Sequence, residues 1–195
     1  SSDEFLSEKL KEYGIKPMAD NTETWEALLS ELGNEGIREI EAEADDDILH
    51  ALCAMGDTKA ASAYLEAKGA YTGINLPDVK GMTPLAIAVR NMDFETAELL
   101  ILHGANPHTM IFHNGKEKDI AELALENRGY LFDDDIERLL ELGIFFDGGE
   151  RYLVKALNGE GNKENLINRL LPITSKNAMT ESGNHIFAEV LNASA

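Results

Sequence analysis

Apolar positions recur at helical spacing most clearly between Gly81 and Pro107, where they predict two short helices. The first helix begins at Thr83-Pro84, because threonine is a good N-terminal cap and proline is tolerated at the first helical position. The apolar residues that follow recur at helical spacing and so share one face of the helix. They are Leu85, Ala88 and Val89.

A break at residues 91–93 separates this helix from a second apolar stripe, which ends at Gly104 as helices commonly end at glycine. The stripe consists of Phe94, Ala97, Leu99, Leu100 and Leu102. Two short antiparallel helices cannot bury both of their apolar faces alone, so the pair must stack on similar neighbours. We expect Leu99 to face the core or the adjacent repeat, and Lys80, before the first helix, to lie at an exposed tip.

This helix pair resembles the ankyrin repeat. The TPLHxA start of that family stands here as residues 83–88, with Ala86 in place of the usual histidine, and its closing Gly-Ala-Asp/Asn stands as residues 104–106. The match is specific because the start, the turn between the helices and the ending occur together at the right distances. The resemblance implies an all-α fold: an ankyrin-type helical solenoid of stacked antiparallel helix pairs, with no sheet beyond short hairpins.

Weaker copies of the same plan lie on both sides of this unit. Residues 48–52 open an upstream copy, and residues 119–124 take the place of the TPLHxA start downstream, at a spacing close to the ~33-residue period of the family. The resemblance therefore predicts a repeat array over residues 45–195. Its units lie near residues 45–77, 78–110, 111–146 and 147–179, with a partial unit at 180–195.

Residues 1–44 follow the repeat plan poorly, although they too are predicted to be helical. Trp25, Leu28, Leu29 and Leu32 have helical spacing and are followed by Gly33 and a charged helix. Solenoids need terminal units with a polar outer face. We predict that this acidic segment is a helical N-terminal cap, and a badly eroded repeat is the alternative.

Charge changes the functional picture more than any other bulk property. The chain has 17 Lys and Arg against 36 Asp and Glu, a formal net charge of −19. Such a field repels phosphate backbones and anionic lipid, which argues against nucleic acid or a membrane as the direct partner. It attracts a protein with a basic surface, although acidic residues also serve simply to keep a long solenoid soluble.

The chain has no apolar run near the ~18 residues of a membrane span, and its first residues do not resemble a signal peptide. Cys53 is the only cysteine, so an internal disulfide is excluded. We therefore predict a cytoplasmic protein.

His50 and Cys53 are spaced so that they would meet on one helix face, as a nucleophile and its base would. The resemblance instead gives His50 the place of the TPLH histidine, which bonds a loop, and a lone cysteine is usually a small buried hydrophobe. The runs 45–47 and 133–135 are all aspartate but lack the spaced ligands of a calcium loop. They precede apolar helical stretches, where carboxylates cap free N–H groups.

Histidines recur every five residues at His103, His108 and His113, but a zinc site needs ligands that converge on one point. We therefore predict no catalytic residue, no metal and no cofactor, and hence no enzyme.

The resemblance implies a non-catalytic protein–protein interaction module, a scaffold or adaptor. Proteins of this family bind partners along the loop tips and along the concave face formed by the first helices. By position, the tip before the best repeat is residues 78–80. The partner-binding residues implied are Val79, Lys80, Met82, Arg90 and Asn91, followed by Ile111, Phe112, His113, Asn114, Glu126 and Asn127.

Asn114-Gly115 is the favoured dipeptide of a tight hairpin tip. We therefore expect Ile111 and Phe112 to be at least partly exposed on a protruding finger. The alternative is that the loop folds back and buries Phe112 against the next repeat.

Two further functions stay open. The unfinished last repeat suggests that this chain is the targeting portion of a larger enzyme or of a secreted effector. A secreted effector would act in a host cytoplasm. The charge of −19 suggests an acidic inhibitor that mimics nucleic acid and competes with DNA for a basic protein.

Overall fold

The computed structural model describes residues 25–42, 47–69, 72–127 and 132–144, together with Asn168. These residues are mostly helical, which confirms the predicted class. The α-helices are α1 (Trp25–Glu41), α2 (Ile48–Met55), α3 (Thr58–Lys68), α4 (Pro84–Arg90), α5 (Phe94–Leu102), α6 (Ile120–Asn127) and α7 (Asp133–Glu141). A 3-10 helix (Thr72–Asn75) follows α3, and β1 (Ile111–His113) pairs with β2 (Lys116–Lys118). Apart from Asn168, the predicted units at 147–179 and 180–195 lie outside the described residues.

The chain divides into two compact units, residues 1–117 and 118–195. Among the helices just given, none is long and apolar enough to cross a membrane.

In the first unit the helices pack pair on pair. Helix α2 contacts α3 and α4 contacts α5, while α2 also packs against α4 and α3 against α5. Helix α4 shows why: every residue from Pro84 to Val89 is buried, as expected of a helix that is apolar all round and covered on several sides.

Side chains at the helix starts supply the partners that the first backbone N–H groups lack. Asp57, Thr83 and Asp93 each accept a hydrogen bond from the backbone N–H three residues on, at 3.0–3.2 Å. The Thr58 and Thr96 hydroxyls, in the first turns of α3 and α5, lie 2.7 Å apart and hydrogen-bond to each other. The two helix pairs are thus joined by a polar contact between the starts of their second helices.

The apolar stripe of α5 is narrower than the sequence suggested. Ala97 and Leu100 are fully buried, but Leu102 is 78% exposed and Leu99 is only half-buried. Leu99, which was expected to face the core or the adjacent repeat, is thus only partly covered, and the placement of Leu102 in the same buried stripe was wrong. Successive residues turn by about 100° round a helix, so Leu102 lies almost opposite Leu100.

Helix α1 packs against α3. It is interrupted at Gly33, whose φ of 63° and ψ of −172° are not helical, and Leu29 and Ile37 on either side of the interruption are fully buried. The exposed side carries glutamates at a spacing of four: Glu31, Glu35 and Glu39.

Glu41 fixes the end of α1. One carboxylate oxygen accepts hydrogen bonds from the Tyr64 hydroxyl at 2.6 Å and from the Ile48 backbone N–H at 2.8 Å, and the other lies 2.9 Å from the Lys68 ammonium. Asp47 occupies the N-cap position of α2 but makes no side-chain cap bond, so Glu41 supplies one instead. A single buried carboxylate thereby ties α1 to α2 and α3.

The second unit contains α6 and α7. Asp119 caps α6 by accepting a hydrogen bond from the Glu122 N–H at 2.7 Å. Helix α7 begins at Asp133, and Asp135 in its first turn accepts from the Phe132 N–H at 3.1 Å. The predicted use of this aspartate run as a helix start is confirmed.

Candidate functional site

The first finger, which we define as residues 76–82, is a tight turn organised by Asp78. The Gly81 N–H donates to the Asp78 carbonyl at 2.9 Å, and one Asp78 carboxylate oxygen accepts from the backbone N–H groups of Lys80 and Met82, each at 2.9 Å. Aspartate at the first position and glycine at the fourth are typical of such a turn. Asp78 is buried as a result, which leaves Val79 and Lys80 exposed at the tip.

Met82 is not available to a partner. Its side chain is only 1% exposed, so its prediction as a surface contact was wrong. The turn at Asp78 reverses the chain, and the Met82 side chain enters the core just before α4.

The second finger, residues 110–117, is the predicted hairpin. Asn114 and Gly115 join β1 to β2 with φ of 53° and 76°, the left-handed values that a two-residue hairpin turn requires. Both residues of the turn are exposed, and His113 before it is half-buried.

Strand alternation decides which side chains of the second finger face solvent. Ile111 is 2% exposed whereas Phe112 is 59% exposed, so the expectation for Phe112 is met and that for Ile111 was wrong. Successive side chains of a strand point to opposite faces, and the sequence could not say which of the two faced inward. Met110, which no sequence signal singled out, is also exposed.

The two fingers touch through their backbones. The Phe112 N–H donates to the Gly81 carbonyl at 3.2 Å. A Cβ at position 81 would lie 2.0 Å from the Phe112 carbonyl oxygen, so only glycine permits this approach. Val79 and Phe112, which are far apart in the sequence, are thereby held on adjoining fingers.

The family model of the ankyrin repeat matches residues 80–110. The chain contains an ankyrin repeat. This confirms the resemblance seen in the sequence, and ankyrin repeats are in general protein–protein interaction modules and typically non-catalytic. A search of curated proteins gave no match to the chain.

The remaining predicted contacts lie at helix ends. Arg90 is half-buried at the end of the first helix of the ankyrin repeat, and Asn91 is exposed beside it, with its side-chain N–H 3.5 Å from the Ala54 carbonyl. In the second unit, the exposed Glu126 forms an ion pair with the buried Lys118, and Asn127 ends α6. Glu126 thus has a partner within its own unit.

His50 and Cys53 do not form a reactive pair. The His50 Nε2 lies 2.9 Å from the Leu76 carbonyl oxygen, the helix-to-loop bond that the ankyrin resemblance implied, and the ring is almost fully buried. Burial, with a smaller effect of the Asp93 charge, raises the pKa of the Cys53 thiol far above its ordinary value. A fully buried thiol in this state is neither a nucleophile nor a metal ligand.

In the described parts of the chain, no group of three or more His, Cys, Asp or Glu side chains is placed to hold a metal ion. The surface with the most distinctive chemistry is therefore the pair of fingers.

Proposed function

We propose that this protein is a non-catalytic scaffold or adaptor that binds another protein through its fingers and through the end of the first helix of the ankyrin repeat. One observation carries the proposal: Val79 and Phe112 are 66% and 59% exposed on two fingers that are bonded to each other. Large apolar side chains exposed together commonly mark an interaction site. Arg90 and Asn91 are the helix-end residues expected to extend the contact.

The packing of α2 on α4 and of α3 on α5 supports a solenoid, in which successive helix pairs add along one direction. The contact of α1 with α3 supports a capping role for the predicted segment 1–44, because α1 covers the apolar side of the first pair and presents glutamates outward. The single cysteine, buried and free, fits a reducing cytoplasm.

The experiment is capture of partners by the full chain from a lysate of the cells that make it, followed by mass spectrometry. We expect Phe112→Ser to lose a specific partner that the wild-type chain retains. Leu102→Ser is the matched control, since it removes another large exposed apolar side chain, from α5 instead of a finger. If Phe112→Ser lowers the melting temperature and leaves capture unchanged, Phe112 stabilises the fold and the assigned surface is wrong.

A second candidate function is an inhibitor that mimics nucleic acid. The exposure of Glu31, Glu35 and Glu39 on α1, in a chain of net charge −19, favours it, because these side chains present negative charge to a basic partner. Its test is competition: the chain should displace DNA from the captured partner, and neutralising these glutamates together should abolish displacement. A captured partner that has no affinity for DNA would exclude this candidate and leave the adaptor proposal in place.

A further inference from the structure

We infer that the two fingers form one recognition surface for an extended segment of a partner protein, in which aliphatic or aromatic side chains are flanked by carboxylates. The inference rests on the proposed function and specifies the chemistry of the bound segment.

The surface is preformed. The hydrogen bond from the Phe112 N–H to the Gly81 carbonyl and the contact that only a glycine allows hold the fingers side by side. Each finger is also fixed internally, the first by the Asp78 carboxylate and the second by its two-residue turn. A partner therefore does not have to order these loops when it binds, which removes the loop-ordering part of the cost of association.

The centre of the surface is apolar. Phe112 and Met110 face solvent from alternate positions of one chain segment, and Val79 projects from the adjoining finger. Aromatic residues and methionine are enriched in the buried cores of protein interfaces, where a few such anchors contribute most of the binding energy. An extended segment with apolar side chains on one face can contact both fingers at once, because alternate residues of an extended chain point to the same side.

The exposed charges around this centre differ in sign from the net charge of the protein. Because Asp78 is buried, the exposed charged side chains of the two fingers are Lys80, Lys116 and Glu117. The fingers thus expose two ammonium groups and one carboxylate on a chain of net charge −19, while the Asp78 carboxylate is buried and accepts two backbone hydrogen bonds. The exposed glutamates of α1 and α5 lie on helices instead.

Charge complementarity decides which segments an interface accepts. A segment with carboxylates beside its apolar residues gains at Lys80 and Lys116, whereas a basic segment is repelled there. A basic partner attracted from a distance by the acidic helices would still have to present an apolar, acid-flanked segment to the fingers.

The test uses the immobilised full chain and a phage-displayed library of random linear peptides, with affinities of the selected peptides measured by fluorescence anisotropy. We expect enrichment of peptides that combine aliphatic or aromatic residues with Asp or Glu. Phe112→Ser should weaken their binding about ten-fold or more and Val79→Ser should weaken it less, as for a central and a neighbouring anchor. Leu102→Ser should leave the affinity unchanged. Each variant is first checked for an unchanged melting temperature, and Val79→Ser is the second probe if Phe112→Ser does not fold.

A charge exchange tests the second half of the inference. Replacing the acidic residues of a selected peptide by Lys should abolish binding to the wild-type chain and restore it to the double variant Lys80→Glu, Lys116→Glu. Enrichment of basic peptides, failure of the exchange, or equal binding to the Phe112→Ser chain would each overturn the inference. If lysate capture still yields a partner in those cases, the proposed function survives and only the chemistry assigned to the fingers is wrong.

Discussion

Leu100 and Leu102 lie two positions apart on α5 and allow the packing of the ankyrin repeat to be measured with one type of substitution. Leu100 is 0% exposed and Leu102 is 78% exposed. Leu→Ala removes three methyl-sized groups, worth ~0.8 kcal/mol each when fully buried, so the transfer cost at Leu100 is about 2.4 kcal/mol. The cavity left in a packed interior brings the expected loss to ~2–5 kcal/mol.

The same arithmetic gives a small effect at Leu102. About a fifth of its side chain is buried, so Leu102→Ala should cost roughly 0.5 kcal/mol. Alanine and leucine are both strong helix formers, so the change in helix propensity is small at either position. The difference between the two variants therefore reports burial alone.

The assay is urea unfolding followed by circular dichroism, with the free energy of unfolding taken by linear extrapolation. We expect Leu100→Ala to lose at least about 2 kcal/mol more than Leu102→Ala. Lys80→Ala, at the tip of the first finger, should stay within ~0.5 kcal/mol of wild type. Equal losses at Leu100 and Leu102 would refute the assignment of the buried face of α5.

Three other perturbations test single contacts. Gly81→Ala should destabilise the protein more than Gly104→Ala. Both glycines have positive φ, but of the two only Gly81 is placed so that a Cβ would meet a backbone oxygen. Equal urea midpoints for the two variants would contradict this. Glu41→Gln should lower the free energy of unfolding by ~1–3 kcal/mol, because a buried carboxylate with three partners loses its charge. An unchanged unfolding curve would show that these three contacts do not stabilise the fold. Cys53 should react with a thiol reagent only on unfolding. Since burial raises the pKa of Cys53, its thiol stays protonated to a higher pH in the folded protein than in the unfolded chain. Stability should therefore fall as the pH rises above about 8.5. Cys53→Ala should remove that part of the fall, and an identical pH profile would sink the idea.

Local chemistry made much of the ankyrin repeat predictable. Thr83 and Pro84 begin α4 as expected, and Asp93 caps α5 after the predicted break. The hairpin tip at Asn114-Gly115 also followed from two adjacent residues, because few other dipeptides adopt two left-handed conformations in succession. Each of these features depends on residues that are neighbours in the chain.

The sequence was less informative about the candidate site. Met82 and Ile111 were expected at the surface, but both are buried. Phe112, which is just as apolar, is exposed. Their residue types are equally apolar, so composition could not separate them. An Asp-x-x-Gly turn signal at residues 78–81 was present and would have indicated the buried role of Asp78.

By itself, then, the sequence determined where helices and turns begin and end, since caps, glycines and apolar periodicity act over a few residues. Tertiary structure decided which side of each element is covered, because burial depends on neighbours that are distant along the chain. Leu100 is covered and Leu102 is not, although both belong to one apolar run. Likewise, Gly81 and Phe112 are distant in the sequence, and the two loops that carry them meet because of the way the helices between them pack.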